Sequence, residues 1–332
     1  MSIGMDFFPD PVRAQALDRR MRQQLLDSLE HILGAWHGQP PVDLEGLSVL
    51  MSNLKEGQLA SPSVFGLYYE AAGALLQGCE VEGLAMLREM GVERLLDNRE
   101  LRILTLDQVT PDVRRQRYQR LMDTDPDTPF RIISPPDDTT TAGVSAFTQA
   151  YERLRTVLPD LAGEFDALIR EVVLVAGAPD LGYQFAGGSC YMLWGALFIN
   201  AQCHDNDIAI MEAIAHESGH SLLFGFTIDE PLVLNDERAL FASPLRDDLR
   251  PMDGIYHATY VSARMHWAMS RLLESGCLNA HESDLAASYR TAECRAFWAG
   301  HQTVSASALM SETGRTLMAS ATAYMAPFPA SS

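Results

Sequence analysis

The chain has 332 residues, 47% of them apolar, and its 44 acidic against 25 basic side chains give a formal net charge of −19. That length supplies a core for one large domain or two modest ones. The acidic balance argues against nucleic acid as a partner, because phosphate binding needs a basic face. The N-terminal stretch MSIGMDFFPDPVRAQ lacks the basic-then-apolar pattern of a signal peptide, and no apolar run has the length of a membrane span. Five scattered cysteines (Cys79, Cys190, Cys203, Cys277, Cys294), with no C-x-x-C pair, read as reduced thiols of a cytoplasmic protein and not as a zinc-thiolate site.

In chain order, residues 12–36 carry Leu17, Met21, Leu25, Leu29 and Ile32 at helical spacing. Ser61-Pro62 starts a helix with proline at its first position, and a second helix runs to Met90 before Gly91. LRILTL (101–106) reads as a strand, and Thr110-Pro111 opens a short Arg-rich helix. Residues 123–143 hold four prolines and five aspartates and read as a linker or long surface loop. The expected division is therefore a helical N-terminal region at 1–122, this linker, and a catalytic domain at 144–332. Helices follow at 144–157 and 160–170, then the apolar run VVLVAG, then one or two strands in 187–201 with glycine breaks. Asp205 or Asp207 is the expected cap of a helix reaching Phe224. A charged loop with three prolines (225–254), a long helix from Ile255 to Glu274 and two more helices complete an α+β chain that is mostly helical.

The helix ending near Phe224 contains His216, Glu217 and His220 in the pattern His-Glu-x-x-His. Residues four apart share one helix face, so two imidazoles reach one metal ion with the glutamate beside them. A strand followed by such a helix is the order of zincin-like metal sites. Gly219, between the ligands, costs about 1 kcal/mol against alanine in a helix interior, which points to close packing or to a site. A catalytic metal takes three protein ligands and keeps open positions. Phe226 stands where the extended zinc-peptidase spacing places a third histidine, which removes that possibility. Two candidates remain: Glu237 in NDER, and His257 among Ile255, Tyr256 and Tyr260, where a lone imidazole needs a partner. Two chemistries also remain. One is zinc peptide hydrolysis, with Glu217 as general base and Glu237 as third ligand; the other is iron oxygenation.

Three pieces in order, namely Gly187-Gly188-Ser189, the His-Glu-x-x-His helix, and SPLRDDLRP (243–251) followed by Gly254 and His257, resemble the HExxH-type 2-oxoglutarate-dependent peptide β-hydroxylases that modify ribosomally made peptides. The resemblance covers about residues 185–275. It departs at Leu245, where an aromatic residue is common. It implies Fe(II) held by His216, His220 and His257, with 2-oxoglutarate and O2 as cosubstrates. Arg246 and Arg250 are then the candidates for the distal carboxylate of the keto acid, since a guanidinium forks onto a carboxylate. Glu217 becomes a residue that orients a ligand or the substrate. The implied reaction is hydroxylation of an amino-acid side chain, at its β-carbon and within a peptide such as a precursor peptide.

Overall fold

The computed structural model describes residues 4–36, 42–96, 100–123, 130–178, 185–243 and 249–329. Eleven helices and a small mixed sheet lie among them, so the chain is α+β and mostly helical. It forms two compact units that interleave in sequence: residues 18–144 with 166–203, and residues 1–17 with 145–165 and 204–332. The expected order 1–122, 123–143, 144–332 is not followed, because residues 166–203 are hydrogen-bonded to the N-terminal half. Helices α1 (Pro11–Gly34), α6 (Asp137–Val157) and α7 (Pro159–Leu168) contribute to both units. The last part of the expected linker is already helix α6, and residues 124–129 lie outside the described set.

The sheet unit is built on β1 (Arg102–Thr105), β2 (Ile132–Ile133), β3 (Glu171–Gly177), β4 (Gly187–Ser189) and β5 (Ala196–Asn200). Strand order is β1-β3-β5-β4. The first three are parallel, β4 is antiparallel to β5, and β2 pairs with the far end of β3. β3 is central, and its run of valine and leucine is buried on both faces, as a parallel strand requires. Val173 and Val175 join Leu104, Leu106, Tyr118, Leu193 and Phe198 in one core.

Around the sheet lie α2 (Glu45–Lys55), α3 (Pro62–Leu76), α4 (Glu80–Met90) and α5 (Asp112–Met122). The sequence signals missed α2. Two buried ionic groups tie these elements together. Arg117 of α5 donates to Glu70 (2.7 Å) and Glu89 (2.9 Å). Glu171, fully buried at the start of β3, accepts from Tyr118 (2.8 Å), Arg114 (2.8 Å) and Arg102 (3.1 Å).

The helical unit contains α8 (Asp207–Phe226), α9 (Met252–Glu274), α10 (Ala280–Ser307) and α11 (Glu312–Met325), with a hairpin of β6 (Leu240–Ala242) and β7 (Leu249–Pro251) before α9. The cap of α8 is Asn206, between the two expected aspartates; its side chain accepts from the Ala209 N–H at 2.9 Å. The N-terminal segment is pinned into this unit. Glu164 is fully buried between Arg13 and Arg264, and those arginines also donate to the carbonyls of Phe8 (2.7 Å) and Phe7 (2.9 Å). α9 meets α10 where a β-carbon on Gly300 would lie 2.1 Å from Thr259 Oγ1, so only glycine fits that approach. No described helix is long and apolar enough to cross a membrane.

Candidate metal centre

α8 and α9 bring the histidines together. His216 and His220 share one face of α8, and their Nε2 atoms lie 3.0 Å apart. His257, at the start of α9, stacks on His220 with ring planes 17° apart and the two Nδ1 atoms 3.2 Å apart. Phe224, one turn beyond His220, lies against both rings. The contact is possible because Gly219 lets α9 come close: a β-carbon there would stand 3.0 Å from Val261 Cγ1, and Val261 is one turn beyond His257. The glycine between the two histidines is therefore a packing residue that lets His257 approach them.

Burial keeps the three rings neutral. It holds His216 down to about 4, with His204 adding to the effect. His220 is held well below the usual imidazole range by burial and then by its two histidine neighbours. Burial also lowers His257, opposed by Asp253. The His216 side chain is still 37% exposed, so solvent reaches a ring that protein atoms surround. Neutral imidazole is the form that ligates metal.

Two nitrogens bound at about 2.1 Å on perpendicular axes of one ion stand about 3.0 Å apart. The His216–His220 pair has that spacing. His257, the expected third ligand, is adjacent but not aimed at the same point: it turns Nδ1 to His220, and its Nε2 lies 3.8 Å from Asp253 Oδ1. Accordingly, among the described residues no group of three or more His, Cys, Asp and Glu side chains stands ready-formed around one ion. The pair has the spacing of two nitrogens on one ion; His257 lies beside it with Nδ1 toward His220.

Glu217 is buried, with Oε1 3.9 Å from His216 Nε2. Arg250 is half-buried in β7 opposite Phe241, seven residues before His257, and it is engaged by its surroundings. Arg246 and Leu245 lie outside the described residues. Glu237 is exposed and makes no ion pair among the described residues. Tyr256 donates to the Gly314 carbonyl (2.8 Å) and Tyr260 packs on Phe7, so both helix tyrosines are core. Gly187, Gly188 and Ser189 form β4, in the sheet unit.

Sequence reading missed two carboxyls. Burial, then Glu293 and Glu217, push Glu212 up to about 8, and burial pushes Glu293 up to about 7. Glu212 could have been found, since it sits four residues before His216 on the same helix face. Glu293 could not, because only the packing of α10 brings it near. The chain matches no protein-family model and no curated protein.

Proposed function

We propose that the chain is an Fe(II)- and 2-oxoglutarate-dependent oxygenase that hydroxylates an amino-acid side chain, at the β-carbon and within a peptide, on a zincin-like metal helix. The observation that carries this reading is the paired Nε2 atoms of His216 and His220 with His257 stacked beside them, all three rings neutral. Neutral imidazole suits iron as well as zinc. The preference for iron rests on the likeness of SPLRDDLRP to the hydroxylase pattern, and on what two arginines ahead of the third ligand can do.

When bound, iron with 2-oxoglutarate and dioxygen supplies the oxidation: the keto acid leaves as succinate and carbon dioxide, and one oxygen atom enters a substrate C–H bond. The chain's own groups bind and orient. His216 and His220 would hold the ion through Nε2, with His257, stacked on His220, as the third residue that would hold it. Phe224 fixes the planes of the last two rings and keeps water from them. Glu217, buried with Oε1 3.9 Å from His216 Nε2, lies on the side of that ring where the ion would sit and is placed to orient the substrate there. Arg250 grips the distal carboxylate of the keto acid, with Arg246 as the second candidate.

The zinc-peptidase alternative requires Glu237 as a ligand, and the exposure of that side chain gives it no support. The test needs no substrate. Metal-free protein is loaded with Fe(II) without oxygen and titrated with 2-oxoglutarate while the visible metal-to-ligand charge-transfer band is followed. A saturable band, weakened in Arg250→Ala, supports the reading. No band, together with tight zinc uptake and no succinate formed in air, overturns it.

A further inference from the structure

We infer that Glu212 and Glu293 form a subsite beside the histidines that takes a basic side chain, lysine or arginine, of the peptide substrate. This rests on the oxygenase reading, because it names a class of substrate for the same centre.

Three helices of the helical unit, α8, α9 and α10, build the subsite. Glu212 lies one turn before His216 on α8, on a face that continues to His220. The packing of α10 brings Glu293 within reach of the Glu212 charge, and there the Ser262 hydroxyl of α9 donates to Glu293. Tyr289, one turn before Glu293, also lies near Glu212. Glu217 adds a third carboxyl from α8. Glu212, His216, Tyr289 and Glu293 are all half-buried, so a solute can reach this wall and the histidine at its end.

The charges say what the wall takes. Other enclosed carboxylates of this chain are matched by arginine: Glu164 by Arg13 and Arg264, Glu171 by Arg102 and Arg114, Glu70 by Arg117. Glu212 and Glu293 are not. The charges acting on Glu212 are those of two other carboxyls, and among the described residues no lysine or arginine offsets either group. Glu212 also makes no hydrogen bond or ion pair among the described residues, although protein atoms surround its carboxyl. His216 and His220 supply no positive charge, since both rings are neutral. An enclosed carboxyl without a partner costs stability, and a cation brought in from outside removes that cost. An ammonium carries three donors and a guanidinium five, which two carboxylates and the Tyr289 hydroxyl can accept. The wall runs one helical turn from His216, so a basic side chain held there belongs to the residue that is oxidised or to one beside it.

The test titrates acetyl-Gly-Lys-Gly-amide, or the same probe with arginine, into the metal-free full chain and follows the probe by NMR. At about pH 8.5 both carboxyls ionise while lysine keeps its charge. Saturable binding is expected. The norleucine probe, which keeps the stem and loses the charge, should bind about tenfold more weakly. Glu212→Gln and Glu293→Gln should each weaken the basic probes about tenfold and leave the norleucine probe unchanged. Glu274→Gln, which removes an exposed carboxyl elsewhere, should change nothing. Urea unfolding of Glu212→Gln separates loss of the subsite from loss of the fold, because that substitution should not destabilise the chain. No saturable binding of either basic probe overturns the proposal. So does equal binding of the lysine and norleucine probes, or binding insensitive to both glutamate substitutions. Calcium uptake that disappears in Glu212→Gln gives the carboxyls to a metal ion and also overturns it. The oxygen-free iron titration is read separately. A charge-transfer band without preference for a basic probe removes this inference alone; the preference without a band removes the oxygenase reading and leaves a basic-peptide subsite beside the histidines.

Discussion

Gly219→Ala tests whether the approach of α8 to α9 sets the proposed metal centre. The new β-carbon would lie 3.0 Å from Val261 Cγ1 and 3.6 Å from Val261 Cβ. Val261 is buried and β-branched, so it has no spare rotamer to give way, and α9 itself must shift by a few tenths of an ångström. Alanine gains about 1 kcal/mol of helix propensity over glycine, while overpacking costs about 1–3 kcal/mol. The net loss of stability is then only about 0–2 kcal/mol. The site suffers more. His257 is one turn from Val261 on α9, and metal sites tolerate about 0.2 Å of displacement. Metal affinity should fall by on the order of tenfold. Urea unfolding of the metal-free chain and Co(II) titration by absorbance measure the two effects separately. Gly254→Ala is the control: a β-carbon there meets nothing within 4 Å, so it should leave metal affinity unchanged. Wild-type affinity in Gly219→Ala would refute the idea that this helix contact positions His257.

Three further outcomes follow from buried charge. Glu164→Gln leaves Arg13 and Arg264 buried without their carboxylate and should cost about 3–5 kcal/mol, whereas Glu274→Gln, which breaks the exposed pair with Arg271, should cost under about 0.5 kcal/mol; equal urea midpoints would contradict this. Burial, then Arg290, holds His266 down to about 4, so between pH 6.5 and 4 the unfolded chain binds a proton that the fold refuses. Its contribution is intact above pH 6.5 and is lost as pH falls, by up to about 3 kcal/mol, so His266→Phe should flatten the pH dependence of the urea midpoint in that window. Glu212 has the opposite sign. Its carboxyl is pushed up to about 8, the fold disfavours the ionised form, and stability falls as pH rises through the window from 4.5 to 8. Glu212→Gln should therefore be stabilising by about 1–3 kcal/mol at pH 9 and near neutral at pH 5, as chemical denaturation at the two values would read.

What the sequence made legible was local. The spacing of Leu17, Met21, Leu25 and Leu29 specified α1, Ser61-Pro62 specified the start of α3, and LRILTL gave β1, because each rests on a period or a cap within a few residues. The His216–His220 pair was legible for the same reason. The reach of β3 back to β1 was not, since strand pairing across about 70 residues leaves no local pattern, and it is this pairing that interleaves the two units. Glu293 was invisible because it joins Glu212 only through the packing of α10. The cap of α8 was missed by one residue among Asp205, Asn206 and Asp207, three side chains that all cap well.

The tautomers of the three imidazoles separate two roles for His257. An ion between the Nε2 atoms of His216 and His220 needs a lone pair on each, so His220 carries its proton on Nδ1. That N–H then donates to Nδ1 of His257 at 3.2 Å, and His257 keeps its own proton on Nε2, toward Asp253. In this arrangement His257 supports a ligand without touching the ion. To become the third ligand it must give up the His220 contact and turn. The oxygenase reading requires the turn, since two imidazoles alone do not make a three-ligand centre. Loss of an outer partner weakens metal binding by about 10–100-fold, so loss of a ligand should exceed that range. The proposed role predicts that His257→Ala lowers Fe(II) affinity by more than about 100-fold, with the far-ultraviolet spectrum unchanged. A loss inside the 10–100-fold range would make His257 the hydrogen-bond partner of His220, and the third ligand would have to be sought elsewhere.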